Sequence, residues 1–203
     1  MAFYLLALTS DASVEPAGEA TIGTAIALLV SSVVMYVWQS GAAWFFSLRL
    51  AGERLSSWGF RRPTTAYFWT IPLALLSVYA ITYFHDLLIH PESQDILNRF
   101  PRSSVGVAMF ALLAVVLAPL FEELFFRGFL FRGLARSWGW LPGAIVSAAA
   151  FGIAHLQLSV FVPLFALGFA LAWVYKRTGS LWTSISLHAL FNGISLVAWV
   201  LTG

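Results

Sequence analysis

The chain has 203 residues, of which 60% are hydrophobic and only 10% charged, with a formal net charge of +2. A soluble domain carries about 45–50% apolar and about 25% charged residues, so this composition belongs in a bilayer and offers no basic surface for a nucleic acid. The absence of cysteine excludes a disulfide framework, thiol catalysis and thiolate metal ligation together.

Aromatic residues make up 16% of the chain, Trp strongly among them, which suits a protein anchored at two water–lipid interfaces. No polar stretch is long enough to fold separately, so residues 1–203 read as a single integral membrane domain. Met1 to Ala20 begins with a short apolar piece and turns acidic at Asp11, Glu15 and Glu19. It lacks the positive start and longer apolar core of a secretory signal and reads as an exposed leader.

A spanning helix needs roughly 20 apolar residues. The first runs from about Ile22 to Leu48, and a basic loop carrying Arg49, Arg54, Arg61 and Arg62 follows it. The second covers Ala66 to Ile89, with a bend expected at Pro72 and with His85, Asp86 and His90 at its far end. After a polar connection, the third runs from Ser104 to Arg136. A turn at Gly139 to Gly143 leads to a short fourth segment, Ala144 to Leu158. Val160 to Tyr175 is the fifth, and Leu181 to Leu201 the sixth, after a tight basic loop. The expected fold is therefore all-α, a polytopic transmembrane bundle of about six spans.

Loop charge sets the orientation. With the amino terminus outside, Arg49, Arg54, Arg61, Arg62, Arg127, Arg132, Arg136, Lys176 and Arg177 fall on the inner side, against Arg99 and Arg102 on the outer. This is the positive-inside pattern of a multi-pass protein of the cell (plasma) membrane with its basic loops in the cytoplasm.

Ionisable side chains inside a membrane are costly and mark functional sites by default. Glu122 and Glu123 sit in an apolar run. Glu123 and Arg127 are four apart, in the favourable order for a helical pair, while Glu122 is turned away and has no such local partner. Glu123 thus reads as the held carboxylate and Glu122 as the free one. His155 shares a helix face with Phe151, and His188 shares one with Asn192.

With Arg136, Pro142 and Ser180 as inner boundaries, Glu122, Glu123 and His155 lie roughly 20 Å deep, and His188 and Asn192 roughly 12–18 Å. All fall near the middle of a core about 30 Å thick, which puts the expected active site near the membrane midplane. Each feature alone has a plain structural reading: a packing histidine, a Glu–Arg pair with a snorkelling Arg, an interfacial His85–Asp86 pair. Their shared depth on separate helices favours a functional site.

The sequence has no Gly-x-Ser-x-Gly elbow, no His-Glu-x-x-His pair and no Gly-rich phosphate loop. Carboxylate with imidazole suits water activation: Glu122 as general base, His155 sharing or orienting the water. His188 and Asn192 can donate to the oxyanion formed when water attacks a peptide carbonyl. Alternatively Glu122, His155 and His188 can hold zinc or another divalent metal with an open water position.

EELFFR, FGIAH and HALFN, in that order on separate apolar segments, resemble the signatures Glu-Glu-x-x-x-Arg, Phe-x-x-x-His and His-x-x-x-Asn of the CPBP family. This family comprises CAAX prenyl proteases and bacteriocin-processing or immunity membrane proteins. The resemblance covers roughly Pro119 to Asn192, within a motif-bearing catalytic core of residues 104–203, and implies an intramembrane endopeptidase with a peptide or protein substrate. It implies that Glu122 and His155 activate water, that His188 and Asn192 stabilise the oxyanion, and that Glu123 and Arg127 complete the signature. It leaves a metal-dependent and a metal-free mechanism both open. The expected cavity opens to the cytoplasmic side. The alternatives are a non-catalytic immunity or partner protein on the same fold and, less favoured, a carrier or proton relay.

Overall fold

A computed structural model describes residues 21–50, 52, 54–89 and 100–202, which form only helices and turns. The amino-terminal leader, His90 and most of the polar connection before the third span lie outside the described residues. We number the helices α1 (Ile22–Trp44, prolonged by a π-helical turn, Phe45–Leu50), α2 (Tyr67–Ile89), α3 (Ser104–Trp138), α4 (Trp140–Ala154), α5 (Phe161–Thr178) and α6 (Leu181–Thr202). Five of these rods are long and apolar enough to cross a membrane; α4, with 15 residues, is the exception. At 1.5 Å per residue it is roughly 22 Å long, short of a core about 30 Å thick.

Local chemistry accounts for the helix ends. Thr21 and Thr24 form a reciprocal capping box at the start of α1, and Ser103 caps α3 by accepting from the Gly106 N–H at 3.2 Å. Gly179, at φ 64°, closes α5 and sends its N–H to the Tyr175 carbonyl.

The turn before α4 is tighter than the sequence suggests. Gly139 alone makes it, at φ 87°, and α4 begins at Trp140 and ends at Ala154 instead of spanning 144–158. Pro142 does not prevent this because it lies in the first helical turn, where an N–H has no partner within the helix. Pro72 likewise lies within the continuous α2, near its start.

Small residues let α4 and α5 approach closely: a Cβ added at Gly168 would stand 3.0 Å from the Ala148 Cα. Such close contact is what associates helices in lipid, where burying apolar surface between them gains little over lipid contact. The core that follows joins Ile71, Ala74 and Val78 of α2 to Phe126, Phe151, Leu167, Leu171 and Leu187. Outward-facing Leu76, Leu88 and Leu201 are largely exposed, as lipid-facing residues are.

At the basic end the loop between α1 and α2 folds inward. Trp58 is fully buried, its Nε1 donates to Ser47 Oγ at 3.0 Å, and its carbonyl accepts from the Tyr175 hydroxyl. Arg132 reaches the Ser57 carbonyl, Arg61 the Gly179 carbonyl, and the Leu181 N–H the Gly59 carbonyl. This loop therefore packs against the basic end of the bundle.

Candidate active site

The site is built on an interrupted helix. Within α3, the α-helical turn Ala118–Glu123 is flanked by two π-helical stretches, Leu112–Leu117 and Leu124–Phe131. Such widened turns recur at functional sites because they rotate side chains out of regular register. In the first stretch the Ala118 N–H bonds the Leu113 carbonyl, five residues back. The next bond in that register would run from residue 119 to Ala114, but residue 119 is proline and has no N–H. The Asn192 Nδ2 donates to the Ala114 carbonyl at 2.7 Å instead. Asn192 thus ties α6 to the turn before the two glutamates and keeps a second N–H.

The two carboxylates have different surroundings. Glu123 is fully buried; its Oε1 accepts from Arg127 Nη1 at 2.6 Å and from His188 Nδ1 at 3.0 Å. Arg127, also fully buried, donates from Nη2 to the Gly168 carbonyl at 3.0 Å and lies over the Phe151 ring. A buried ion pair needs such extra hydrogen bonds to offset its desolvation. Glu122 keeps 14% exposure of its side chain; its Oε1 accepts from the Tyr36 hydroxyl at 3.2 Å, and its Oε2 has no hydrogen-bond partner among the described residues. The opposite nitrogen of His188, Nε2, stands 4.0 Å from that Oε2. With Nδ1 donating to Glu123, His188 turns Nε2 toward Glu122, and a single imidazole links the two carboxylates.

Phe151 lies between the two histidines, 5.6 Å from the His188 ring and 4.8 Å from the His155 ring, centroid to centroid. His155 caps the end of α4 and is exposed, and its Nδ1 donates to the Phe151 carbonyl at 2.8 Å. No hydrogen bond joins it to Glu122, Glu123, His188 or Asn192 among the described residues. Glu122, Glu123, Arg127 and His188 are therefore in direct contact or close to it. Asn192 is attached one turn along α6, and His155 stands at the exposed edge behind Phe151. The His85 and Asp86 side chains bond each other at 3.1 Å and join none of these groups.

The metal set does not assemble. Among the described residues no three His, Asp or Glu side chains are arranged to hold an ion. His188 and His155 have Nδ1 engaged, with Glu123 and a backbone carbonyl respectively, which leaves each Nε2 able to ligate, so the misfit lies in the placement of the three groups. Glu122, His155 and His188 do not fit a zinc ion as placed, and no step below is routed through one.

Two contacts have no counterpart in the motif reading. The Tyr36 hydroxyl on Glu122 comes from α1, and Tyr79 of α2 stacks on Phe191 and donates to its carbonyl at 3.0 Å, bracing α6 between His188 and Asn192. Each is a phenol within an apolar span, and a buried tyrosine hydroxyl needs a partner. That signal is present in the sequence but does not name the partner.

A helical membrane protein with a buried Glu–Arg–His cluster and a second, less enclosed glutamate beside it is the class that fold and site define. Residues 104–194 match the family model described as type II CAAX prenyl endopeptidase Rce1-like. Among curated proteins of Bacillus subtilis (strain 168), the "Putative membrane peptidase YdiL" is 29% identical over 87 residues, 43% of this chain and 36% of that protein. The "Uncharacterized protein YyaK" is 29% identical over 116 residues, 53% of this chain and 39% of that protein. The matches thus span less than half the length of either relative. No solved structure gives a significant match. The matched segment carries all three motifs, so residues 104–194 of this chain are similar to that family of membrane endopeptidases.

Proposed function

We propose that this protein is an intramembrane endopeptidase that hydrolyses a peptide bond with water activated by Glu122. The observation carrying this reading is the asymmetry of the two adjacent carboxylates: each has one oxygen without a hydrogen bond among the described residues, but Glu123 is fully buried and ion-paired with Arg127, whereas Glu122 is partly exposed, has no arginine partner and stands 4.0 Å from His188. A general base needs an uncommitted lone pair held in place, and Glu122 has both.

In this mechanism a water between Glu122 and the substrate gives its proton to the Glu122 carboxylate as its oxygen attacks the scissile carbonyl. His155, with Nδ1–H fixed on the Phe151 carbonyl, keeps Nε2 as an acceptor at the exposed edge behind Phe151, where in this reading it meets water entering the site. His188, when both of its ring nitrogens carry a proton, and the second N–H of Asn192 face the developing oxyanion, and donors of this type typically contribute about 10²–10³-fold each. Collapse of the tetrahedral intermediate returns the proton from Glu122 to the leaving amine. Glu123 and Arg127 take no part in proton transfer; they hold His188. The protein sits in the cell membrane with its basic loops in the cytoplasm.

Cleavage of membrane-anchored peptides by the purified protein in liposomes tests the reading. The parent cleaves, and Glu122→Gln melts at the parental temperature while losing cleavage by about 10³-fold or more, as loss of a base together with its preorganised site requires. Parental cleavage by Glu122→Gln refutes the mechanism. A folded parent that binds but never cleaves favours the immunity or partner role.

A further inference from the structure

The first helix lies outside the matched segment 104–194, yet it contributes a side chain to the site. Tyr36 is 5% exposed, its ring stacks on Phe121 at 5.4 Å with 9° between planes, and its hydroxyl donates to Glu122 Oε1 at 3.2 Å. The stack is with the residue immediately before Glu122, so ring and hydroxyl fix the same short piece of α3 from two sides.

We propose that Tyr36 is a positioning residue for Glu122 and that α1 is a working part of the active site. The inference rests on the reading of Glu122 as the base. A carboxylate on a flexible stem rotates about its last bond unless one oxygen is held. The Tyr36 O–H holds Oε1, which directs Oε2 toward His188 Nε2 and leaves it open to a proton. Groups held within about 0.5 Å of productive geometry are what such supporting contacts provide. The groups that face Glu122 are then Tyr36 from α1 and His188 from α6, with Glu123 and Arg127 on its own helix.

The test compares the parent, Tyr36→Phe and Tyr36→Leu in liposomes. Tyr36→Phe keeps the stack on Phe121 and removes only the hydroxyl. Its kcat falls about 10–100-fold with KM within about twofold, as expected when a reacting group is slightly misplaced. Tyr36→Leu loses the stack as well and melts at a lower temperature. A kcat for Tyr36→Phe equal to the parent's overturns the inference.

A second readout does not depend on peptidase activity. A hydrophobic carbodiimide modifies membrane carboxyls, and mass spectrometry reads which glutamate reacts. Glu122 reacts severalfold faster in Tyr36→Phe than in the parent, while Glu123, held by Arg127 and His188, stays unmodified in both. An unchanged rate at Glu122 overturns the inference whatever the kcat. If the parent cleaves nothing, the peptidase reading fails and this labelling comparison still decides the role of Tyr36.

Discussion

Two adjacent glutamates differ here because a helix turns about 100° between them. Glu123 faces α5 and α6 and is fully enclosed with Arg127 and His188; Glu122 faces Tyr36 and keeps part of its side chain exposed. Removing one partner of a buried ion pair leaves an uncompensated charge and costs about 3–5 kcal/mol. Glu123→Gln therefore lowers the melting temperature or the yield of folded protein, and it releases His188. Thermal melts of the detergent-solubilised variant check this, and a parental melt contradicts it. The four-residue spacing of Glu123 and Arg127 was legible in the sequence, as was the absence of a local partner for Glu122. That His188 would bond Glu123 as well as face Glu122 was not, because helical spacing reports partners on one helix and is silent about the next.

At the scale of elements, the third helix is regular only in its hydropathy. Its first π-helical stretch runs into Pro119, whose missing N–H leaves the Ala114 carbonyl to the side chain of Asn192. Asn192→Ala removes that donor, and an unsatisfied buried carbonyl costs about 1–3 kcal/mol. Pro119→Ala returns an N–H to the turn, so in the Asn192→Ala background it restores part of the lost stability. Absence of any rescue in chemical or thermal denaturation contradicts this account of the turn. Sequence periodicity located this helix and its neighbours to within a few residues. It missed the bounds of α4, because Pro142 reads as a breaker when its place in the first turn is unknown. It also could not show that α4 ends immediately before His155, which puts that histidine at a helix end and at the surface.

For the whole molecule, the basic residues gather at one end, where Trp58 and the loop around it lock onto the turn between α5 and α6. His155, at the opposite end of α4 from Trp140, forms the exposed edge of the site. The natural chain has no cysteine, which makes single-cysteine labelling clean. Under the positive-inside rule, Arg62→Cys reacts with an impermeant maleimide from the cytoplasmic face and Ser104→Cys from the opposite face. Both are exposed positions, and labelling of the two from one face contradicts the orientation. The bundle was legible from hydropathy, a property that sums over many residues, as does the loop charge on which the expected orientation rests. The packing of the basic end depends on single contacts of Trp58, Arg61 and Tyr175, and no sum reveals those.

The most direct test of the account is where the oxygen of water goes in a single turnover. With enzyme in excess over peptide in ¹⁸O-water, a water activated by Glu122 places one ¹⁸O in the new carboxyl terminus of the product and none in Glu122. An unlabelled product with ¹⁸O in the Glu122 side chain would mean that the glutamate attacks the peptide itself, and the account of Glu122 as a base would be wrong.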